Sequence, residues 1–144
     1  MTRIDVILVP IDGSDAAERA LARAIELAQK FAVPPKIELI NVQRPVRGDV
    51  TMFVGQRQVE DYHRDEGMKA LTRARAQLDA SGLPGNFHIG LGEPAEVILQ
   101  YEQQTGCTLI CMSTRGAGAV GSLMLGSVAQ RVVKDTRVPV MLVK

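Results

Sequence analysis

The residues of this chain best suited to chemistry are small ones. Ser113-Thr-Arg-Gly116-Ala-Gly118-Ala-Val-Gly121 opens a run that closes with Leu125-Gly126-Ser127-Val128. An apolar stretch, Leu109-Ile-Cys-Met112, precedes it, and an amphipathic stretch, Val128 to Asp135, follows. Read as strand, glycine-rich loop and helix, the run carries bare main-chain N–H groups to a place where a phosphate can be cradled. A side chain at such a glycine would hold the anion back. The same residues admit a plainer reading. Gly126 permits a turn, and Ser127-Val-Ala-Gln130 forms a capping box for the helix. Both readings demand a strand before the loop and a helix after it.

Gly116-Ala-Gly118-Ala-Val-Gly121 also fits the dinucleotide fingerprint GxGxxG. That fingerprint belongs to the first strand–helix turn of its domain, with an acidic residue about 20 residues on at the tip of a second strand. Here the strand left to follow is Val138 to Val143, just before Lys144, so a dinucleotide domain is not expected. A P-loop is excluded because Gly-Lys-Ser/Thr occurs nowhere. Nor does the chain show a nucleophile elbow, a catalytic pair or a catalytic lysine. Phosphoryl transfer needs a positioned nucleophile as well as a cradle, so the expectation is a binding protein rather than an enzyme.

The elements that must position these residues are legible in the periodicity. Ile4 to Val9 is apolar at nearly every residue, as for a strand covered on both faces. Pro10-Ile-Asp-Gly-Ser14 ends it with turn chemistry, and Asp15-Ala-Ala-Glu18 reads as a capping box. Ala17, Leu21, Ala24, Ile25 and Ala28 then recur at helical spacing, up to Pro34-Pro35. Ile37 to Val42 is a second strand. Gln43 to Gly55 has no period and reads as a loop or lid. Val59 to Ala80 is a long amphipathic helix ending at Ser81-Gly82. Phe87 to Leu91 is a third strand, Glu93-Pro94-Ala95 opens a helix that runs to Gly106, Thr108 to Met112 is a fourth strand, and Val138 to Val143 is a fifth. Strict alternation of strand and helix predicts an α/β fold, a parallel sheet with helices on both faces, in one domain over residues 1–144. Pro139 in the fifth strand argues for an edge position.

Composition narrows the function. The chain has 144 residues, 46% of them hydrophobic, but only 3% aromatic and no tryptophan. The core is therefore aliphatic. A net charge of +1 leaves no basic footprint for nucleic acid. Cys107 and Cys111 read as small apolar core residues of a reducing compartment, and a metal site is not expected, since about four ligands would be needed. His63 and His88 read as packed or solvated residues rather than ligands. No apolar run reaches membrane-spanning length, the first apolar run is too short for a signal peptide, and a cytoplasmic location is expected.

Four stretches taken together carry a resemblance. The first strand ends Val9-Pro10-Ile11-Asp12-Gly13-Ser14, the second ends Asn41-Val42, the turn Gly92-Glu-Pro94-Ala95 follows the third, and the fourth ends Met112-Ser113-Thr114-Arg115-Gly116. The chain resembles the universal stress protein family over essentially its whole length. The nucleotide-binding branch of that family carries Gly-x-x-Gly, nine residues, then Gly-Ser/Thr. Gly116 matches the second glycine, Ala117 to Leu125 are the nine spacers, and Gly126-Ser127 close the motif. Ser113 stands where the first glycine is expected.

The resemblance implies a Rossmann-like, open five-stranded parallel sheet of order 3-2-1-4-5, which places the first and fourth strands side by side. Ligands bind at such switch points, beyond the carboxyl ends of the strands. It further implies that ATP, ADP or AMP is held there, with Mg2+ accompanying the phosphates of a triphosphate. Asp12 would face the adenosine, Pro10 would wall the adenine, and Val42 would offer it main-chain hydrogen bonds and an apolar face. Gly116 and Gly126 would lend unobstructed N–H groups to the phosphates. Ser127 would bond a phosphate by hydroxyl and amide, Val128 would add a main-chain N–H, and Arg115 would neutralise charge. Ile11, Met112 and Ser113 complete the expected site. At most slow ATP hydrolysis is implied, in a stress-response and regulatory role. A homodimer paired through Val138 to Val143 is also implied. The other function class is a nucleotide-free dimeric interaction module of the same fold, since some members of the family lack the motif.

Overall fold

Ile7, Leu8 and Val9 are all fully buried, which a strand achieves only when both faces of its sheet are covered. In the computed structural model, which describes residues 3–115 and 124–144, this strand is β1 (Val6–Pro10) at the centre of a five-stranded parallel sheet of order β3-β2-β1-β4-β5. The other strands are β2 (Lys36–Gln43), β3 (Gly85–Leu91), β4 (Leu109–Ser113) and β5 (Val140–Val143). Helices α1 (Asp15–Ala28), α2 (Gly48–Thr51), α3 (Gln56–Ser81), α4 (Pro94–Thr105) and α5 (Ser127–Asp135) connect them. The expected sheet order and parallel sense are those observed.

Alternation along β1 builds two cores. Ile7 and Val9 pack with Ala17, Leu21, Ala24, Leu71 and Ala74 under α1 and α3. Leu8 packs with Ile40, Ile98, Ile110, Ala129 and Val132 under α4 and α5. Alanines on α1 let that helix lie close to the sheet, and each fully buried Leu or Ile contributes about 1.5–3 kcal/mol by leaving water. The thiols of Cys107 and Cys111 are buried and unbridged, as core residues. Among the described residues no helix is long and apolar enough to cross a membrane.

Several boundaries differ from the sequence reading, each for a local reason. The N-cap of α1 is Ser14, whose hydroxyl accepts from the Ala17 amide at 3.1 Å; Asp15 is already inside the helix, where its charge favours the helix N-terminus. Helix α1 ends at Ala28, well before Pro34, because the apolar face it buries ends there. Strand β1 starts at Val6 rather than Ile4. Strand β5 starts at Val140, so Pro139 sits ahead of the strand; its carbonyl still accepts from the Ile110 amide at 3.0 Å. The edge position inferred from Pro139 holds. The stretch Gln43 to Gly55 contains the four-residue helix α2, too short to show a period. Finally, the N-cap of α5 is Gly126, and Ser127 is the first helical residue; the expected Ser127–Gln130 capping box does not form. Gly116 and the spacer residues up to 123 lie outside the described residues.

Candidate functional site

The carboxyl ends of β1, β2 and β4 open onto a cleft of about 540 Å³ on the α4–α5 side of the sheet, a volume typical of small-molecule sites. Pro10, Ile11, Asp12, Val42, Met112, Ser113, Arg115, Gly126, Ser127 and Val128 all line it. Residues far apart in the chain thus meet where the parallel order reverses direction beside β1 and β4, the expected place for a ligand. Gly116, the remaining member of the expected set, is outside the described residues.

The turn after β1 is held by its own side chains. Asp12 accepts from the Ser14 amide at 3.0 Å and from the Ser14 hydroxyl. Gly13 has φ +85°, in the left-handed region that favours glycine. Its carbonyl accepts from Arg73 of α3, and Arg73 also pairs with Asp15 and Glu18. From the other side, Asn41 donates to the Ile11 carbonyl at 2.8 Å and accepts from Gln43 at 2.8 Å. Asn41 is buried and fully engaged, so the turn is fixed to β2 by a satisfied polar group.

Val42 has main-chain groups to offer. In a parallel ladder a residue points its N–H and C=O to the same side, and the sides alternate. The Ile40 carbonyl accepts from Ile11 of the β1 side at 2.8 Å, while the Gln43 carbonyl accepts from Gly92 beyond β3. Val42 therefore faces the β1 side, where β1 has already ended at Pro10. One donor and one acceptor are directed at the cleft.

The loop after β4 is drawn together at its base. The Thr114 amide donates to the Val143 carbonyl at 3.0 Å and the Gly126 amide donates to the Thr114 carbonyl at 2.6 Å. Ser113, half-buried, donates its hydroxyl to the Arg115 carbonyl at 2.7 Å. Gly126 has φ −63° and ψ 157°, the extended backbone of an N-cap, but supplies no capping side chain. The amides of Ser127, Val128 and Ala129 have no acceptor within the helix, and the first turn of α5 holds no acidic residue.

The contrast with α4 is electrostatic. Its N-terminus also reaches the cleft through Pro94, but there Glu93 caps the Glu96 amide at 3.0 Å and Glu96 adds a second carboxylate. Arg131 of α5 binds both, at 3.3 and 3.2 Å, and reaches Asp135 as well. Hydrogen bonding to Glu96 holds its guanidinium above the usual arginine range. One helix N-terminus is thus satisfied and the other, among the described residues, is open. An anion entering the cleft is favoured at α5, by the dipole and the bare amides together.

Sequence reasoning missed Ile40, Arg44, Pro94, Ile98 and Thr114, which also line the cleft. Pro94 and Ile98 come from α4, whose first turn was read only as a helix start. Arg44 had a signal: it stands two residues after Val42 and just before Pro45, so strand alternation carries it to the same side. Among the described residues no group of three or more His, Cys, Asp or Glu could hold a metal ion.

The universal stress protein family model matches residues 3–144. A universal stress protein of Thermus aquaticus is 38% identical over 143 residues, 96% of this chain and 97% of that one. Among solved structures, the Methanocaldococcus jannaschii protein MJ0577, studied to assign a biochemical function from structure, superposes with a TM-score of 0.84 at 25% identity, covering 98% of this chain and 96% of that one. A universal stress protein of Archaeoglobus fulgidus in complex with dAMP superposes with a TM-score of 0.70 at 22% identity, over all of both chains.

Proposed function

The chain belongs to the universal stress protein family, and we propose that it binds an adenine nucleotide, ATP above ADP or AMP, in the cleft at the carboxyl ends of β1, β2 and β4. The observation that carries this reading is the pairing, in one cavity, of two main-chain sites that no described residue fills: the N-terminus of α5 at one end and Val42 at the other. An N–H and a C=O side by side complement the N1 acceptor and the N6 amino donor of adenine. Ile40, Pro10 and Ile98 supply apolar walls for the ring. Asp12, between the two ends, faces the ribose. Ser127 and Val128 take the phosphates, with Arg115 beside them; the Gly126 amide is not the phosphate donor expected from the motif, because it donates to the Thr114 carbonyl, and Gly126 instead keeps the approach clear of a side chain. Mg2+ enters with the triphosphate, held by phosphate oxygens and water.

The protein acts by binding rather than by turnover. The carboxylate of the described lining is Asp12, and it is engaged by Ser14. Nucleotide occupancy then serves as a signal in a stress response, read by a homodimer paired through β5, an edge strand whose Leu142 is 38% exposed. The test is calorimetric titration of nucleotide-free protein with ATP and Mg2+. Saturable binding that AMP competes for supports the reading. A folded protein that takes up no adenine nucleotide is instead the dimeric interaction module.

A further inference from the structure

We infer that Arg44 is a specificity residue of this cleft: its guanidinium closes over the open face of the purine ring and takes no part in holding phosphate. The inference rests on the nucleotide reading above and adds to it a residue that neither the glycine motif nor the turn after β1 contains.

Placement comes first. Ile40 and Val42 project onto the α4–α5 face of the sheet, into the cleft. Arg44 is the next residue in that alternation, one beyond the end of β2 at Gln43. Pro45 follows it, and a residue before proline is held in extended backbone. The period of two therefore continues past the last ladder bond, and Arg44 overhangs the end of the sheet in line with Val42. It lines the cleft and is exposed.

Its charge is uncommitted. Among the described residues Arg44 has no ion pair and no hydrogen bond, whereas Arg47, three residues on, pairs with Asp49 at 3.4 Å. An arginine that lines a cavity without a carboxylate partner is available to a ligand.

Distance decides which part of the ligand it meets. The open N-terminus of α5 follows β4, and Arg44 follows β2, with β1 between them. Two strand spacings amount to about 10 Å. A nucleotide with its phosphates on α5 presents its base, not its phosphates, at β2. There the ring lies against Ile40 and Ile98, with its edge at Val42, and the remaining open face is the one Arg44 overhangs. A planar guanidinium over a π-face is a favourable cation–π arrangement.

The test compares ligands that share parts. Arg44→Ala changes an exposed side chain that makes no ion pair or hydrogen bond among the described residues, so the variant should fold, and a melting curve checks that it does. Calorimetry with ATP should show affinity lower by about five- to thirtyfold in Arg44→Ala, the range expected of a cation–π contact. Inorganic tripolyphosphate, which has no base, should bind wild type and variant alike. Arg44→Lys should recover only part of the loss, because an ammonium does not stack. An equal loss for tripolyphosphate would make Arg44 a phosphate ligand and overturn the assignment. Unchanged ATP binding in Arg44→Ala would overturn it too, while leaving the nucleotide reading intact. Failure of wild type to bind ATP would remove both.

Discussion

Replacing Gly126 with aspartate should move stability and ligand binding in opposite directions. Gly126 is the N-cap of α5, with extended φ and ψ that any residue adopts. It has no side chain to cap the first-turn amides. Aspartate is a preferred N-cap and exceeds glycine there by a few tenths of a kcal/mol; its charge at the N-terminus of a helix adds about 0.3–1 kcal/mol. The variant should therefore be more stable by about 0.5–1 kcal/mol, which for a domain of this size raises Tm by about 1–4 °C. The bond from the Gly126 amide to the Thr114 carbonyl involves only main chain and is kept.

Binding should fall for the same reason that stability rises. The carboxylate occupies the amides of Val128 and Ala129 that a phosphate would use. A charge repelling one phosphate charge at about 4 Å costs from about 1 kcal/mol in water to about 4 kcal/mol under partly screened conditions. ATP affinity should drop by about fivefold to a thousandfold. Gly126→Asn caps without the charge and should lose much less. A melting curve and a calorimetric titration on the same sample read both effects. A variant that melts higher and still binds ATP like wild type would refute the placement of the phosphates on α5. A variant that melts several degrees lower would refute the description of Gly126 as an open cap.

Other consequences follow from buried groups. Among the described residues neither ring nitrogen of buried His63 has a hydrogen-bond partner, so His63→Leu should stabilise the protein by about 1 kcal/mol or more, the cost of an unsatisfied polar group, seen as a higher urea midpoint. Burial pushes the Cys107 thiol up to about 11, helped by nearby Glu102, and burial alone pushes the Cys111 thiol up to about 12. Both should resist thiol reagents at pH 8 in the native protein and react only as fast as the chain opens; rapid labelling of either in native buffer would contradict this. Glu38 is buried on β2. Burial opposes its charge, but contacts to Lys36, His88 and Asn86 outweigh that and hold its carboxyl below the ordinary range. A lowered folded value means that its contribution to stability is complete above the unfolded carboxyl value, about 4.5, and is lost as pH falls through the folded one. His88→Leu should bring that loss to higher pH in acid denaturation, and an unshifted acid limb would exclude the Glu38–His88 pair as its cause.

The fold was legible because aliphatic runs and glycine punctuation agree with each other. Ile4 to Val9 could be read as doubly covered since Asp5 is its single polar position. The cleft residues could be named from the family resemblance, whose matching stretches lie at the ends of β1, β2 and β4 and at the start of α5. Helix boundaries were less legible. The capping-box spacing of Asp15 to Glu18 is real, but Ser14 one residue earlier competes for the same role, and it is the Ser14 hydroxyl that accepts from the Ala17 amide. Helix α2 is four residues long and cannot display a period of 3.6. The α4 contribution to the cleft was invisible for a different reason: Pro94 and Ile98 reach it only through tertiary packing, and nothing in their local pattern distinguishes a cleft wall from a core face.

Ser113 shows how a departure from a motif can be absorbed. A glycine at this point presents no side chain to the loop. Serine adds a hydroxyl, and that hydroxyl donates inward to the Arg115 carbonyl at 2.7 Å. Its hydrogen is therefore spent on the loop, and its lone pairs are the wrong partners for a phosphate. A phosphate at this end of the cleft must take its hydrogen bonds elsewhere, and the open amides of Ser127 and Val128 are the donors in position. The motif's two ends are then unequal in this chain. In the proposed binding mode the Gly126–Ser127 end carries the anion, and the Ser113 end shapes the loop. It follows that Ser113→Gly should change ATP affinity far less than Gly126→Asp does. A comparable loss from both would mean that the phosphates lean on the β4 end instead, and that the helix dipole of α5 is not what orients the ligand.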